Sequence, residues 1–258
     1  MLRRRRQLRW HFTAGIVRPA MNLILGKRWQ GAENLPAGGF IAVANHISEL
    51  DPLAVGHAVY SAGYTPHFLA KESLFRVPGL GAVCRGLKQI PVARDDRQAA
   101  NHSLEVAREA LSEDGAILIY PEGTLTRDPD GWPMRCKSGA ARLALTTGVP
   151  LVPITHWGVQ DVLPSYSKVP RLLPRRKYTL SVGKAIDLED LRKKPLTRTV
   201  LAEATQRVEQ ALTDGVAALR GETPPEDIWD RGLNQRVPRD QLKERARQQE
   251  REEEEGRE

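Results

Sequence analysis

Residues 40–52 read FIAVANHISELDP, and the rest of the chain is organised around this stretch. The apolar run FIAVA stops at Asn45 and His46, and Asp51 follows the histidine with four residues between them. A buried strand that ends at a histidine, with a carboxylate near the start of the next helix, can present a base and the group that orients it. The plainer alternative is that Asn45 and Asp51 are turn and cap residues beside an ordinary polar histidine.

Strand and helix patterns alternate along the middle of the chain. The predicted strands are Phe40–Ala44, His67–Ala70, Gln89–Val92, Ala116–Tyr120, Leu151–His156 and Tyr178–Val182. The predicted helices are Pro52–Tyr60, Gln98–Ser112, Ser138–Thr147 and Leu196–Leu219, and Ser73–Arg85 is predicted as a helical region interrupted by a proline. Strands alternating with helices indicate a layered α/β domain, which we place at residues 31–220.

The first 30 residues form a separate segment in this prediction. Five arginines occur among the first nine residues, and no acidic residue precedes Glu33. Apolar residues including Trp10 and Phe12 recur at near-helical spacing, and we expect Pro19 to kink or divide the helix. A basic amphipathic helix of this kind is typical of an element that lies on an anionic membrane surface. The alternative is a helix packed on its own domain with a solvated run of arginines.

Residues 221–258 are the third predicted segment. The composition changes after Arg220, and the chain ends in runs of arginine, glutamine and glutamate. Such a composition buries little apolar surface, so we expect a charged, disordered or helix-prone tail.

Composition limits the compartment and the partners. The formal net charge is +7 and aromatic residues make up 5%, which favours anionic partners and disfavours a base-stacking site. Cys84 and Cys136 stand apart with no metal-binding spacing, which suits a reducing compartment. The sequence contains neither an apolar run long enough to span a bilayer nor a secretory signal, so we expect a peripheral protein on the cytoplasmic face of the cell membrane.

A second polar stretch, YPEGTLTR at residues 120–127, follows another apolar strand. Pro121 breaks the strand and Gly123 permits a sharp turn. Glu122 and Thr124 are therefore expected at the carboxyl end of a strand, where open α/β sheets bind ligands. The plainer interpretation is a well-formed turn with a capping threonine.

Basic residues follow the strands and precede one predicted helix. Arg94, Arg127, Arg135 and Lys137 are the candidates, and Lys137 stands just before the helix at Ser138. Helix N-termini with nearby cations bind anions such as phosphate. The sequence has no G-x-S-x-G serine elbow and no HExxH motif, which argues against a serine hydrolase and against a zinc site. We assign His156, at the end of the strand VPLVPITHWG, a structural role.

Four blocks occur in order along the chain and resemble those of the glycerolipid acyltransferase family, specifically the 1-acylglycerol-3-phosphate acyltransferases. The blocks are Asn45-His46-x4-Asp51-Pro52, Gly86 with Ile90-Pro91-Val92-x-Arg94, Pro121-Glu122-Gly123-Thr124, and Val152-Pro153-Ile154. The resemblance covers residues 29–184. It implies the fold of that family, with a mixed central sheet flanked by helices.

The resemblance also implies a reaction and a set of site residues. An acyl chain passes from a thioester, acyl-CoA or acyl carrier protein, to a glycerol hydroxyl in phospholipid biosynthesis, without a metal or another cofactor. His46 corresponds to the general base and Asp51 to its orienting carboxylate. Arg94, Glu122, Gly123 and Thr124 correspond to the residues that bind the glycerol phosphate. The implied partners are lysophosphatidate, the acyl carrier and an anionic membrane surface, and not nucleic acid.

Three departures from the family pattern occur, and one is in the second block, where Pro91-Val92-Ala93 stands before Arg94 and relatives often have an acidic residue before the arginine. Tyr120 replaces the phenylalanine of the third block, and Leu125 replaces its arginine. Arg127 or Lys137 is the candidate to supply the missing phosphate contact. The acceptor could therefore be a lysophospholipid or glycolipid other than lysophosphatidate. A thioester hydrolase and a non-catalytic protein that binds anionic membranes or nucleic acid are the further alternatives.

Overall fold

The computed structural model describes residues 8–92, 111 and 115–255. The arginines at positions 3–6, Arg94 and, apart from Leu111, the predicted helix Gln98–Ser112 lie outside the described residues. What we predicted for them stays a prediction.

The central sheet has seven strands among the described residues. They are β1 (Leu25–Gln30), β2 (Phe40–Ala44), β3 (Pro66–Lys71), β4 (Ile90–Val92), β5 (Ala116–Ile119), β6 (Leu151–Trp157) and β7 (Arg176–Val182). Their order across the sheet is β1-β7-β6-β2-β5-β3-β4, and every neighbouring pair is parallel except β6 and β7. The expected α/β class with a mixed sheet is confirmed.

Helices cover both faces of this sheet. The α-helices of the described residues are α1 (Leu8–Ile24), α2 (Asp51–Ser61), α3 (Leu80–Gly86), α4 (Gly139–Thr147), α5 (Glu189–Arg192), α6 (Arg198–Arg220) and α7 (Gln241–Glu255). Residues of α1 and α2 pack on one face, whereas α4, α5 and α6 pack on the other. Parallel strands require such crossover connections, because a tight hairpin can join only antiparallel neighbours.

Strand β2 lies in the middle of the sheet and is buried on both faces. Ile41 and Val43 belong to the core under α4 and α6, whereas Phe40, Ala42 and Ala44 belong to the core under α1 and α2. Successive side chains of a strand point to opposite faces, so a strand covered on both sides reads as a continuous apolar run. This double burial explains the sequence FIAVA and fixes the point at which the chain emerges at Asn45.

The N-terminal segment agrees with the prediction only in part. Helix α1 continues through Pro19, so the proline does not divide the helix, which was one of the two outcomes we expected. Residues 25–30, which we assigned to the helical segment, instead form β1 and pair in parallel with β7 at the edge of the sheet. The strand LGKRWQ was missed because an edge strand needs few apolar residues. Within the described ranges, no helix has both the length and the apolar character needed to cross a bilayer.

Residues 221–240 differ from the disordered tail that we predicted, whereas the helix at Gln241–Glu255 agrees with the helix-prone alternative. Strands β8 (Ile228–Asp230) and β9 (Gln235–Val237) form an antiparallel hairpin, and α7 packs along α6. Much of the charge is paired within the fold, for example Lys243 with Glu203 at 2.8 Å, and Glu250 accepts from the Thr199 hydroxyl at 2.6 Å. Composition alone could not show that the few apolar residues, Ile228 and Val237 among them, are buried.

The C-terminal hairpin holds the loop that precedes α4. The Arg236 guanidinium donates to both carboxylate oxygens of Asp128, at 2.9 and 3.0 Å, and to Asp130 at 2.6 Å. The Trp229 carbonyl accepts from the Arg135 N–H at 2.9 Å. Two-point arginine–carboxylate pairs hold geometry well, so the hairpin fixes residues 128–135.

Candidate active site

The predicted site residues that the structure describes lie at or close to one edge of the sheet. Strands β6, β2 and β5 are neighbours and run in the same direction, so their carboxyl ends meet there. Asn45 and His46 follow β2, residues 120–122 follow β5, and His156 lies near the end of β6. The carboxyl edge of parallel strands is the usual ligand-binding side of an α/β sheet.

His46 and Asp51 form a hydrogen-bonded pair. The His46 Nδ1 atom lies 2.8 Å from Asp51 Oδ2. The Asp51 side chain is fully buried, whereas the His46 side chain keeps 18% of its surface exposed. A carboxylate can only accept, so Nδ1 carries the proton and Nε2 is left as the basic atom of the ring.

Asp51 is fixed by the backbone of the turn between β2 and α2. Its Oδ2 atom also accepts from the N–H groups of Ile47 at 2.7 Å and Ser48 at 2.9 Å. Asp51 is the first residue of α2, where the positive end of the helix dipole favours a negative charge. The spacing of four residues between His46 and Asp51 thus equals the length of the turn that lets one carboxylate reach back to the ring.

Tyr120 holds the His46 ring from one side. The two rings stack with centroids 4.2 Å apart and planes 21° from parallel. Burial is the main cause that raises the pKa of the Tyr120 hydroxyl well above its usual value, and the nearby Asp51 carboxylate adds to it. Tyr120 therefore stays neutral and supplies a flat packing surface. The phenylalanine-to-tyrosine departure keeps that surface.

Glu122 ties two parts of the site together and does not face solvent. Its Oε1 atom accepts from the His46 N–H and its Oε2 atom accepts from the Met134 N–H, both at 2.9 Å. The Thr126 N–H donates to the His46 carbonyl at 2.7 Å. Burial raises the pKa of Glu122 to about 8, although its two N–H donors act in the opposite direction. In this geometry Glu122 braces the backbone of His46, and its contact with substrate stays a prediction.

Gly123 and Lys137 come together beside this brace. Gly123 has φ +75°, and a Cβ atom placed there would lie 3.2 Å from Lys137 Cε. The Lys137 side chain therefore runs over a turn that only glycine adopts easily. The backbone N–H of Lys137 donates to the Pro121 carbonyl at 2.8 Å. The site thus has a cation next to the half-buried residues Gly123 and Thr124.

The position at which the family pattern has an arginine is buried in this chain. The Leu125 side chain is buried, and its carbonyl accepts from the Tyr166 hydroxyl at 3.2 Å. Arg127, the other candidate replacement, is exposed, and its N–H lies 3.0 Å from the Met134 sulfur. Arg94 lies outside the described residues. Of the four candidate cations, the structure brings Lys137 against the turn at Gly123, whereas the Arg135 guanidinium donates to the Pro238 carbonyl at 2.9 Å.

Asn45 and His156 form a second polar pair beneath the first. Asn45 Nδ2 donates to the His156 carbonyl at 3.0 Å, and the His156 N–H donates to Asn45 Oδ1 at 2.9 Å. The His156 ring gives its Nε2–H to the Asn45 carbonyl at 2.9 Å. Burial lowers the pKa of His156, so the ring is neutral. These contacts agree with a structural role for His156 and give Asn45 one that the sequence did not reveal.

Residues 163–166 border the site and were not predicted to do so. The Ser48 hydroxyl donates to the Leu163 carbonyl at 2.7 Å, and the Ser165 hydroxyl donates to the Ile47 carbonyl at 2.5 Å. No motif marks this stretch, because each contact pairs a side-chain hydroxyl with a backbone carbonyl that any residue can supply. The partners are far apart in the sequence, and only the fold brings them together.

The fold and the site together define a class: an α/β protein with a histidine–carboxylate pair at the carboxyl edge of its sheet, an arrangement suited to general-base chemistry. Residues 27–157, just over half of the chain, match the Acyltransferase family. The chain belongs to this family, which confirms the resemblance seen in the four blocks.

Similar proteins come from plants and bacteria. The chloroplastic 1-acyl-sn-glycerol-3-phosphate acyltransferase of Brassica napus is 32% identical over 54% of this chain and 39% of its own length. The chain thus spans about two fifths of that plant relative. The 1-acyl-sn-glycerol-3-phosphate acyltransferase of Bacillus subtilis is 26% identical over 80% of this chain and 96% of its own length.

A solved structure shares the fold. The crystal structure of the 1-acyl-sn-glycerophosphate acyltransferase PlsC from Thermotoga maritima superposes with a TM-score of 0.62 and is 26% identical in sequence. The match covers 83% of this chain and 81% of that one. It extends well beyond residues 27–157, so the likeness in fold is wider than the family match.

Proposed function

We propose that the protein transfers a fatty acyl chain from a thioester, acyl-CoA or acyl carrier protein, to the free hydroxyl of 1-acylglycerol-3-phosphate. The product is phosphatidic acid, which places the reaction in phospholipid biosynthesis. The observation that carries the proposal is the His46–Asp51 pair, 2.8 Å apart, with one ring nitrogen left as a base in a partly exposed side chain. The names of the plant and bacterial relatives support the choice of acceptor.

The pair supplies the proton transfers of a direct acyl transfer. His46 Nε2 takes the proton of the acceptor hydroxyl as its oxygen attacks the thioester carbonyl. The Asp51 carboxylate stabilises the imidazolium that forms. The tetrahedral intermediate collapses, the C–S bond breaks, and the imidazolium returns the proton to the leaving thiolate. The ester bond replaces the thioester bond, and His46 ends the cycle neutral.

A phosphate on the acceptor would fix the position of its hydroxyl. Lys137, running over the turn at Gly123, is the described cation we assign to this phosphate. Arg94, Arg127 and the backbone around Thr124 complete the proposed set. Holding the hydroxyl at the base in this way is a large part of catalysis, because it removes the entropy cost of bringing the two together.

A second acceptor class is favoured by one observation. Leu125 stands buried where the family pattern has an arginine, so the phosphate site differs from that pattern. A lysophospholipid or glycolipid acceptor other than lysophosphatidate is therefore the second candidate.

Helix α1 is the element we assign to the membrane surface. Phe12, Ile16 and Leu23 are 73%, 60% and 77% exposed, and their spacing puts them on one side of the helix. Trp10 and Met21, on the opposite side, are buried in the protein. A helix that is apolar on both sides, in a chain with a basic N-terminus, suits an interface between protein and anionic lipid.

Thiol release from an acyl thioester tests the reaction. The assay is run with lysophosphatidate, with lysophospholipids that carry other headgroups, with a glycolipid, and without acceptor. We expect release that depends on acceptor and is fastest with lysophosphatidate. Equal release without acceptor would identify a thioester hydrolase, and no release with any acceptor would favour a non-catalytic binding protein.

Vesicle co-sedimentation tests the membrane contact. Removing residues 1–30 would also remove strand β1, so substitutions are the cleaner test. We expect replacement of Phe12, Ile16 and Leu23 by serine to weaken binding to anionic vesicles. Binding equal to that of the parent protein would contradict the role of α1.

A further inference from the structure

Residues 163–175, which we call the rim loop, expose an unusual amount of apolar surface. Tyr166 is 59% exposed, Val169 71%, Leu172 49% and Leu173 85%. Exposing large apolar side chains to water is unfavourable, and several within one short stretch mark an interaction site more often than a single one does. The rim loop lies in no helix or strand, so packing against its own sheet does not explain these residues.

The rim loop is also strongly basic. No acidic residue occurs between Asp161 and Asp187, whereas Lys168, Arg171 and Arg175 lie within the loop and Arg176 and Lys177 follow it. Lys168, Arg171 and Arg175 are exposed. Cations that flank exposed leucines match the border between lipid headgroups and acyl chains, where long basic side chains reach phosphates while apolar ones enter the hydrocarbon. A purely apolar protein partner would not require this charge.

One end of the rim loop borders the His46–Asp51 turn. The Leu163 carbonyl accepts from the Ser48 hydroxyl, and the Ser165 hydroxyl donates to the Ile47 carbonyl. Tyr166 reaches the Leu125 carbonyl with its hydroxyl at 3.2 Å. The loop is therefore attached directly to the two stretches that form the site.

The other end of the rim loop adjoins helix α1. The Arg175 guanidinium donates to the Leu25 carbonyl at 2.9 Å, and Leu25 directly follows the helix. Burial lowers the pKa of Lys27, and the positive charges of Arg18 and Arg175 lower it further, which places cations of α1, β1 and the loop close together. The hydrogen bond between Arg175 and Leu25 therefore joins the part of the chain that carries the exposed Leu23 to the part that carries the exposed leucines of the loop.

We propose that the rim loop is a second bilayer-contacting element, in which Leu172 and Leu173 enter the apolar layer of an anionic membrane while Lys168, Arg171 and Arg175 contact lipid phosphates. This inference rests on the membrane contact proposed for α1. Together the two elements hold the mouth of the His46 site at the lipid surface. A lysolipid can then reach His46 without leaving the membrane completely.

Paired serine variants test the apolar contact. Leu172→Ser with Leu173→Ser is compared with Leu196→Ser and Leu233→Ser, which are 42% and 46% exposed. Leu196 lies just before α6, which packs on the sheet face opposite α1, and Leu233 lies in the turn between β8 and β9. On phosphatidylcholine–phosphatidylglycerol vesicles, the rim-loop pair should bind about tenfold or more weakly, the scale expected for two large apolar side chains. The control pair should bind like the parent.

A fluorescent label tests insertion directly. Cys84 and Cys136 are buried, so a Leu173→Cys variant offers an exposed thiol for an environment-sensitive probe. The probe should shift to the blue when these vesicles are added and should be quenched by nitroxide-labelled lipid. A probe on the Leu233→Cys variant should do neither. If the probe on the Leu173→Cys variant kept the emission typical of water while the protein was bound, the proposal would be overturned.

Two further results separate this proposal from its alternatives. The vesicles contain no thioester or acceptor, so binding is measured whether or not the protein is an acyltransferase. Light scattering could show that the parent is a dimer and that the double variant Leu172→Ser with Leu173→Ser is a monomer. If vesicle binding were unchanged in that case, the apolar surface would contact a second copy of the chain and the proposal would fail. Retained turnover of a short-chain, water-soluble acceptor by the rim-loop pair would support a role in docking, and a full loss would contradict it.

Discussion

Two histidines at neighbouring strand ends share one carboxylate but have different surroundings. His46 Nδ1 lies 2.8 Å from Asp51 Oδ2, and His156 Nε2 lies 3.9 Å from the same atom. The His46 side chain remains 18% exposed, whereas the His156 side chain is fully buried. The His156 ring uses its Nε2–H on the Asn45 carbonyl, and burial lowers its pKa.

The difference shows what separates a histidine that can act as a base from one that has a structural role. A ring that donates to a carboxylate and keeps its other nitrogen accessible can take up a proton, because the carboxylate stabilises the charge. A ring that donates to a backbone carbonyl inside the core stays neutral, because a buried positive charge without a close partner is costly. Only His46 lies within hydrogen-bonding distance of Asp51, and exposure and the identity of the accepting atom separate the two rings further.

Replacing His46 should have the largest effect on turnover. We expect His46→Ala to lower kcat by about 10³-fold or more, because the base and the ring that carries the proton are both lost. The protein should stay folded, but the free energy of unfolding should fall by about 1–3 kcal/mol, because the buried Asp51 carboxylate loses one of its donors. Thiol release, with circular dichroism as the control for folding, measures both. Turnover within about tenfold of the parent would contradict a general base at His46.

Removing the charge of Asp51 should come next. Asp51→Asn is expected to lower kcat by about 10²- to 10⁴-fold, because an amide no longer stabilises the imidazolium and can hold the wrong tautomer. The change should also cost a few kcal/mol of unfolding free energy at most, since three donors converge on Oδ2. The kcat values of both variants at saturating substrate give the comparison. If Asp51→Asn retained full turnover, His46 would not need its carboxylate.

Glu122 gives a pH test of the brace behind His46. Its pKa is about 8 in the folded protein against an ordinary value of 4.5, so the folded state holds the proton more tightly than the unfolded state. The unfolding free energy should therefore fall as the pH rises from about 4.5 to about 8. In Glu122→Gln the contribution of this carboxyl to the pH dependence of stability disappears. The kcat should also fall by roughly tenfold, because the N–H of His46 or that of Met134 loses its acceptor.

Denaturant titrations at several pH values measure this slope. Burial also raises the pKa of Glu209 to about 7, so Glu209→Gln serves as a matched control that changes the slope without touching His46. Parallel stability curves for the parent and Glu122→Gln would show that Glu122 is ionised throughout the range and would contradict the expected slope.

His156 should have the smallest effect on turnover. We expect His156→Phe to lower the unfolding free energy by about 1–3 kcal/mol, because the Asn45 carbonyl loses its donor, and to lower kcat less than about tenfold. Urea unfolding and thiol release together measure the two effects. If His156→Phe lowered kcat as much as His46→Ala and left the stability unchanged, the assignment of a structural role to His156 would be wrong.

Much of the fold could be predicted because its signals are local. The run FIAVA, buried on both faces, and the alternation of strands and helices are written into neighbouring residues. The contact between His46 and Asp51 was also predictable, since only four residues separate them. Strand β1 was missed because its sequence is mostly polar, and its pairing with β7 joins residues that are about 150 positions apart.

The rest of the site depends on contacts that no local pattern reveals. Nothing in the sequence around Glu122 shows that its carboxylate turns inward to the backbone of His46 and Met134. Arg236 and Asp128 are ordinary surface residues by composition, yet they pair at 2.9 Å. A charged run becomes structured when the partner charges stand elsewhere on the fold, and that depends on tertiary geometry.

The pairing of the C-terminal hairpin with residues 128–135 has a consequence for synthesis. A ribosome makes His46 and Asp51 first, Glu122 later and Arg236 last of these four residues. Until the last of these has emerged, the segment that carries Met134 lacks its contacts with Arg236 and Trp229. The segment that carries Met134, whose N–H donates to Glu122, therefore reaches its final contacts only after residue 236 has been made, about 190 residues after His46.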